Sequence, residues 1–133
     1  MLDPKKLQKG RETILLVDDE IIVLASTRRM LERLGYTVLS AENGQQAIEM
    51  AEQYGRGIDV VLLDKRMPGF SGAQTFEPLQ AIVPNAKIVM VSGKGFDADD
   101  ASLIEAGAVT ILEKPLTMTT LGPLMRAVIE GRD

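Results

Sequence analysis

The sequence predicts an α/β fold, a three-layer (βα)5 doubly wound parallel sheet, and three observations predict it. Five short runs rich in Val, Ile and Leu are apolar throughout, the pattern of strands buried on both faces. A stretch with helical spacing follows each run. Glycines and capping residues mark where most of those stretches end or begin. For 133 residues with 45% hydrophobic content, this makes one domain with a single core system.

The strands are read at Thr13 to Val17 (TILLV), Thr37 to Ser40 (TVLS), Val60 to Leu63 (VVLL), Ile88 to Val91 (IVMV) and Val109 to Leu112 (VTIL). The first helix is read over Ile21 to Leu34, stopped by Gly35, and the second over Gly44 to Tyr54, stopped by Gly55. Asn43, with Gln46 three residues on, caps the start of the second. A third stretch, Ser71 to Ile82, contains Pro78, whose ring crowds the carbonyl of Gln74, so a kink or a short helix is expected there. The fourth runs from Asp97 to Ala106 before Gly107. In the fifth, after Thr117, Gly122-Pro123 places the regular part near Pro123. Residues 1–12, with Lys5, Lys6, Lys9 and Arg11, read as a poorly ordered basic lead, and 13–131 as the folded domain. Right-handed crossovers fold this alternation into a doubly wound sheet, for which strand order 2-1-3-4-5 is the common five-strand solution.

The absences in the composition narrow the chemistry. With no His and no Cys, the chain cannot build a Ser-His-Asp or Cys-His nucleophile, an ordinary zinc site or a disulfide. Carboxylates, hydroxyls, lysines and backbone remain. A net charge of −4 argues against direct binding of nucleic acid or an acidic membrane. Neither a membrane-length apolar run nor a signal-peptide core is present, so a cytoplasmic location is expected.

In the proposed topology the strands deliver Asp18-Asp19-Glu20, Asp64, Ser92-Gly93 and Glu113-Lys114-Pro115 to one edge of the sheet. Those groups offer hard oxygen ligands for Mg2+, a carboxylate nucleophile and two contacts for phosphoryl oxygens. Each has an ordinary alternative. The acidic triplet could complement the first helix dipole, Asp64 could start a turn, Ser92 and Gly93 could be loop residues, and Lys114 could be solvated. Their coincidence at the strand ends is what carries the chemical reading.

The segments VDDE (17–20), LLDKRMPGFSG (62–72), IVMVSGKG (88–95) and AGAVTILEKPL (106–116) closely resemble the receiver domain of two-component response regulators, with its flavodoxin-like sheet. The resemblance covers residues 13–131. It implies that Asp64 accepts a phosphoryl group from the phosphohistidine of a histidine kinase or a histidine phosphotransfer domain. It also implies that Mg2+ is held by Asp19, Asp64 and the backbone carbonyl of Arg66, with Asp18 acting through water. Lys114 would meet a phosphoryl oxygen, and its bond to Pro115 would be cis. Ser92 would be the switch hydroxyl and Gly93 would leave room for the incoming group. A downstream protein target, or a second copy in a homodimer, would dock on the face of the fourth helix, fifth strand and fifth helix. No enzyme activity beyond the domain's own phosphorylation and dephosphorylation is expected.

Some positions depart from the family pattern. Ile111 stands where an aromatic switch residue is usual, so the output must be routed differently. Lys65 replaces a usual apolar residue and reads equally as a solvated loop lysine. Arg66 and Lys94 flank the acceptor and could shield the aspartyl phosphate from water. Three alternatives remain at this level: the receiver segment of a hybrid histidine kinase, a receiver that signals by contact alone, and a Mg2+-dependent aspartyl-nucleophile phosphohydrolase. The last lacks its usual second Asp, a position that is Arg66 here.

Overall fold

The computed structural model describes residues 12–67, 69, 71–93 and 98–131. Its elements are β1 (Thr13–Val17), α1 (Ile21–Arg33), β2 (Thr37–Ala41), α2 (Gly44–Tyr54), β3 (Val60–Asp64), α3 (Gly72–Ile82), β4 (Lys87–Ser92), α4 (Ala98–Ala106), β5 (Thr110–Glu113) and α5 (Met118–Glu130). A single 3-10 turn, Gly55–Gly57, follows α2. All strands pair in parallel in the order β2-β1-β3-β4-β5, as expected.

Side chains alternate across a strand, so each apolar run feeds two cores. Leu15, Val17, Val61, Leu63 and Met90 pack on one face with Ala47, Ala51, Phe76, Leu79 and Leu103 from α2, α3 and α4. Ile14, Leu16, Val60, Leu62, Val89 and Val91 pack on the other with Leu24, Leu31, Leu121, Met125 and Val128 from α1 and α5. The sheet is therefore the middle of three layers, and continuous apolar strands are the cause.

Local signals set most boundaries. Asn43 accepts from the Gln46 amide at 2.8 Å, and the Gln46 side chain accepts from the Glu42 amide, closing the start of α2. Gly35 and Gly107 follow α1 and α4 with φ of 99° and 124°, where a side chain would strain the backbone.

Two helices correct the proline expectations. The third helix is not shortened at Pro78: a Ser71/Gln74 capping box starts it, and buried Thr75, Phe76 and Leu79 hold it on the sheet. In α5 the helix begins at Met118, not near Pro123, because a Thr117/Thr120 capping box nucleates it. Burial of Leu121 then draws Gly122 and Pro123 into the helix. In both cases packing outweighs the lost hydrogen bond. The fourth helix is described from Ala98; Asp97, its expected start, lies outside the described residues, as does nearly all of the basic lead.

Strand register sets the site. Val17 lies beside Leu63, Asp64 beside Val91, and Ser92 beside Glu113, so the residues at and just after these positions reach one edge together. The topology changes direction between β1 and β3, where a crevice opens outside the carboxyl ends of the strands.

Candidate phosphoacceptor site

Asp18 follows β1, held by its amide to the Ala41 carbonyl at 3.1 Å. Asp64 ends β3, and both residues are 5% exposed. The amide of Glu20 donates to Asp18 Oδ1 at 2.9 Å, and that of Arg66 to Asp64 Oδ1 at 3.1 Å. Backbone donors thus fix one oxygen of each carboxylate and leave the second toward the crevice.

Lys114 enters from the end of β5. Its amide bonds the Ser92 carbonyl at 2.8 Å, tying it to the end of β4, and its peptide bond to Pro115 is cis, as the resemblance implies. Its ammonium lies 3.0 Å from Asp18 Oδ2, 3.2 Å from Asp64 Oδ2 and 3.3 Å from Glu20 Oε1. It is the shared counter-charge of three carboxylates, not a solvated turn lysine.

The electrostatics follow from burial. Desolvation raises the Asp64 carboxyl to about pKa 6, helped by the Asp18 charge and opposed by the Arg66 amide and Lys114. For Lys114 burial alone would favour the neutral amine. The hydrogen bond to Asp18 and the charges of Asp64 and Asp18 outweigh it and hold the amine's pKa above its ordinary value. Negative charge is crowded here, and Lys114 only partly offsets it.

Oxygen atoms of Asp18, Glu20 and Asp64 lie within 4.8 Å of one another, a hard-donor set suited to a divalent cation such as Mg2+. Asp19, which the resemblance puts on the metal, is half-buried and stands outside that triad. Glu20 is the member the sequence reading did not single out. It occupies the N-cap position of α1, yet its side chain makes no capping bond and faces Lys114 instead. The signal was present, since Glu20 completes the acidic triplet.

The remaining positions divide. Ser92 is buried at the end of β4. A β-carbon at Gly93 would meet nothing within 4 Å, so the space beside Ser92 is open. Arg66 is exposed, with its amide rather than its side chain on Asp64. Ile111 is half-buried against the Leu15/Leu63 core, and Lys94 lies outside the described residues. Lys65 corrects its bland reading: its side chain is 8% exposed and pairs with Asp100 of α4, 0% exposed, at 2.9 Å. Asp100 was missed, because beside Asp99 it looks like an ordinary acid in a helix's first turn.

An α/β sheet that gathers an acidic cluster, a hydroxyl and a lysine at its carboxyl edge is the arrangement that the resemblance to receiver domains implies. Residues 14–126 match the family model described as the response regulator receiver domain, and the chain belongs to that family. Over 97% of its length it is 33% identical to the sensor kinase CckA of Brucella abortus (strain 2308), of which it spans only 14%. Its fold superposes on a response regulator receiver domain protein from Clostridium thermocellum with a TM-score of 0.84, at 28% identity over 90% of this chain and 95% of that one. It is also similar to a response regulator protein from Burkholderia pseudomallei whose structure carries a phosphorylated aspartic acid, a calcium ion and citrate. There the TM-score is 0.77, at 25% identity over 89% of this chain and 66% of that one. Among the described residues no helix is long and apolar enough to cross a membrane.

Proposed function

We propose that this receiver domain takes a phosphoryl group onto Asp64 from the phosphohistidine of a histidine kinase or histidine phosphotransfer domain. The observation that carries this reading is the buried Asp64 carboxylate, with one oxygen bonded to the Arg66 amide and the other within reach of Lys114. The free face of that carboxylate attacks phosphorus, an O–P bond forms, and the N–P bond to the donor imidazole breaks. The electron pair of that bond stays on the imidazole nitrogen, which is neutralised by a proton from solvent or its own domain. The chain has no His of its own, so the donor lies elsewhere.

Mg2+ fits the donor set: Asp18, Glu20 and Asp64 as converging carboxylates, with Asp19 and the Arg66 carbonyl added by the resemblance. When bound it supplies the positive charge that an incoming phosphoryl group requires in an acidic pocket. The chain's own residues do the rest. Lys114 neutralises a phosphoryl oxygen, Ser92 can donate to another, and open space at Gly93 admits the group. The phosphorylated aspartate and cation in the B. pseudomallei relative support this assignment.

The donor approaches past the start of α1, where Ile22 is 84% exposed and lines a groove with Met30, Lys114, Pro115 and Leu116. A downstream target, or a second copy, docks on α4, β5 and α5, where Ile104, Val109 and Met118 are exposed. No turnover of an external substrate is expected. Likeness to a sensor kinase along nearly the whole chain supports a phosphorelay setting.

The deciding experiment is incubation of wild type and Asp64→Asn with acetyl phosphate and Mg2+, read by intact mass. Wild type gains one phosphoryl group and the variant none; equal labelling of both, or of neither, removes the reading.

A further inference from the structure

Charged residues are rarely sealed in a core, and the Lys65–Asp100 pair is sealed next to the phosphoacceptor. A buried ion pair does little for net stability, because desolvation offsets most of the attraction. An apolar pair of similar volume would hold α4 to the sheet at least as well. What the pair has that an apolar contact lacks is charge, which responds to the charge on the neighbouring Asp64.

The two ends of the pair are unequally anchored. Lys65 follows Asp64 directly, its amide bonds the Val91 carbonyl at 2.8 Å, and its carbonyl accepts from the Gly72 amide at 2.9 Å. A methyl group at Gly72 would overlap the Asp64 carbonyl oxygen and the Lys65 backbone, so this corner is closely packed. Asp100 by contrast sits on a lightly held helix: of the nine residues of α4, only Asp100 and Leu103 are buried. Gln80 Nε2 donates to the Ala106 carbonyl at 2.8 Å, which fixes the C-terminal end. Asp100 therefore secures the N-terminal end, the one that follows β4 and its Ser92.

Resting on the phosphoacceptor reading, we propose that the Lys65–Asp100 ion pair is a latch that holds the N-terminal end of α4 against the sheet in the unphosphorylated protein. Its release is the step that carries phosphorylation of Asp64 to the α4 face. Ile111 lacks the ring for an aromatic readout, and the latch supplies another route on the same side of the sheet. Either state of Asp64 biases a two-state element, which is what coupling requires.

The test is amide hydrogen exchange by mass spectrometry on the full chain, in wild type, Asp100→Ala and Asp100→Glu, each with and without acetyl phosphate and Mg2+. Phosphoryl uptake is read by intact mass on the same samples. Without donor, amides of Ala98–Ala106 exchange about tenfold faster in Asp100→Ala than in wild type, α1 and α5 are unchanged, and Asp100→Glu restores protection. With donor, wild-type α4 moves toward the Asp100→Ala level. Asp100→Ala takes up the phosphoryl group with no further change in α4. Wild-type protection of α4 in donor-free Asp100→Ala overturns the latch, and so does a response to phosphorylation in that variant equal to the wild-type one. No uptake by wild type removes the functional reading instead, and the donor-free comparison still decides the latch. Should Asp100→Ala loosen every helix, the isosteric Asp100→Asn is judged by the same criteria.

Discussion

At the scale of single residues, Asp64 is a carboxyl whose environment differs sharply from that of the unfolded chain. It ionises near 3.8 when unfolded and near 6 when folded, so the folded chain holds more protons across that window. The contribution of Asp64 to stability therefore falls as pH rises from about 4 to 6. Asp64→Asn has no such penalty. In chelator, its advantage over wild type should grow from about 1 kcal/mol at pH 4.5 to roughly 3 kcal/mol at pH 7.5, a difference that urea unfolding at those two pH values measures. A gap independent of pH would mean that burial does not perturb this carboxyl. Glu20 gives a second residue-scale test. Its carboxylate shares Lys114 with Asp18 and Asp64, so Glu20→Gln should weaken Mg2+ binding about fivefold, roughly 1 kcal/mol at a partly exposed site, by calorimetric titration. Unaltered affinity would confine Glu20 to pairing with Lys114.

At the scale of elements, α4 stands apart from its neighbours. The third helix buries Thr75, Phe76 and Leu79, and α5 buries Leu121, Met125 and Val128, whereas α4 buries only Leu103 and Asp100, the latter paired with Lys65. Lys65→Met takes from the buried Asp100 the cation that lies 2.9 Å away. Lys65→Met should destabilise the protein by about 3–5 kcal/mol, while Lys65→Met with Asp100→Leu should return to within about 1 kcal/mol of wild type. Chemical denaturation of the two single variants and the double variant reads this as a double-mutant cycle. Additive losses would show that the residues do not act together. Elements also explain where sequence reasoning stopped. Pro78 and Pro123 argue locally for shortened helices, and neither helix is shortened, because Ser71 and Thr117 caps start them early while the sheet buries their apolar faces. Capping was legible in the residues; how much packing would overrule proline was not.

At the scale of the whole molecule, five carboxyl-terminal strand ends meet because the sheet is parallel and doubly wound, and function is concentrated at that edge. A ligand that binds only this assembled edge must stabilise the entire fold. Saturating Mg2+ should raise the melting temperature of wild type by roughly 5–10 °C over chelator, with little effect on Asp64→Asn, in a thermal melt followed by circular dichroism. An equal shift in both would place the cation elsewhere. The sequence by itself determined the layer architecture, because five short, largely apolar runs alternate with stretches of helical spacing, the pattern of parallel strands covered on both faces. It also brought Asp64, Ser92 and Lys114 to one edge, because each ends or directly follows a strand whose carboxyl end the topology shares. Only the tertiary structure decided which carboxylates converge on Lys114, drawing in Glu20 and leaving Asp19 beside the triad. It alone turned Lys65 inward to Asp100. Those outcomes depend on side-chain direction between segments distant in the chain. An acid in a run of acids, or a lysine in a loop, carries no local pattern that records which distant partner will bury it.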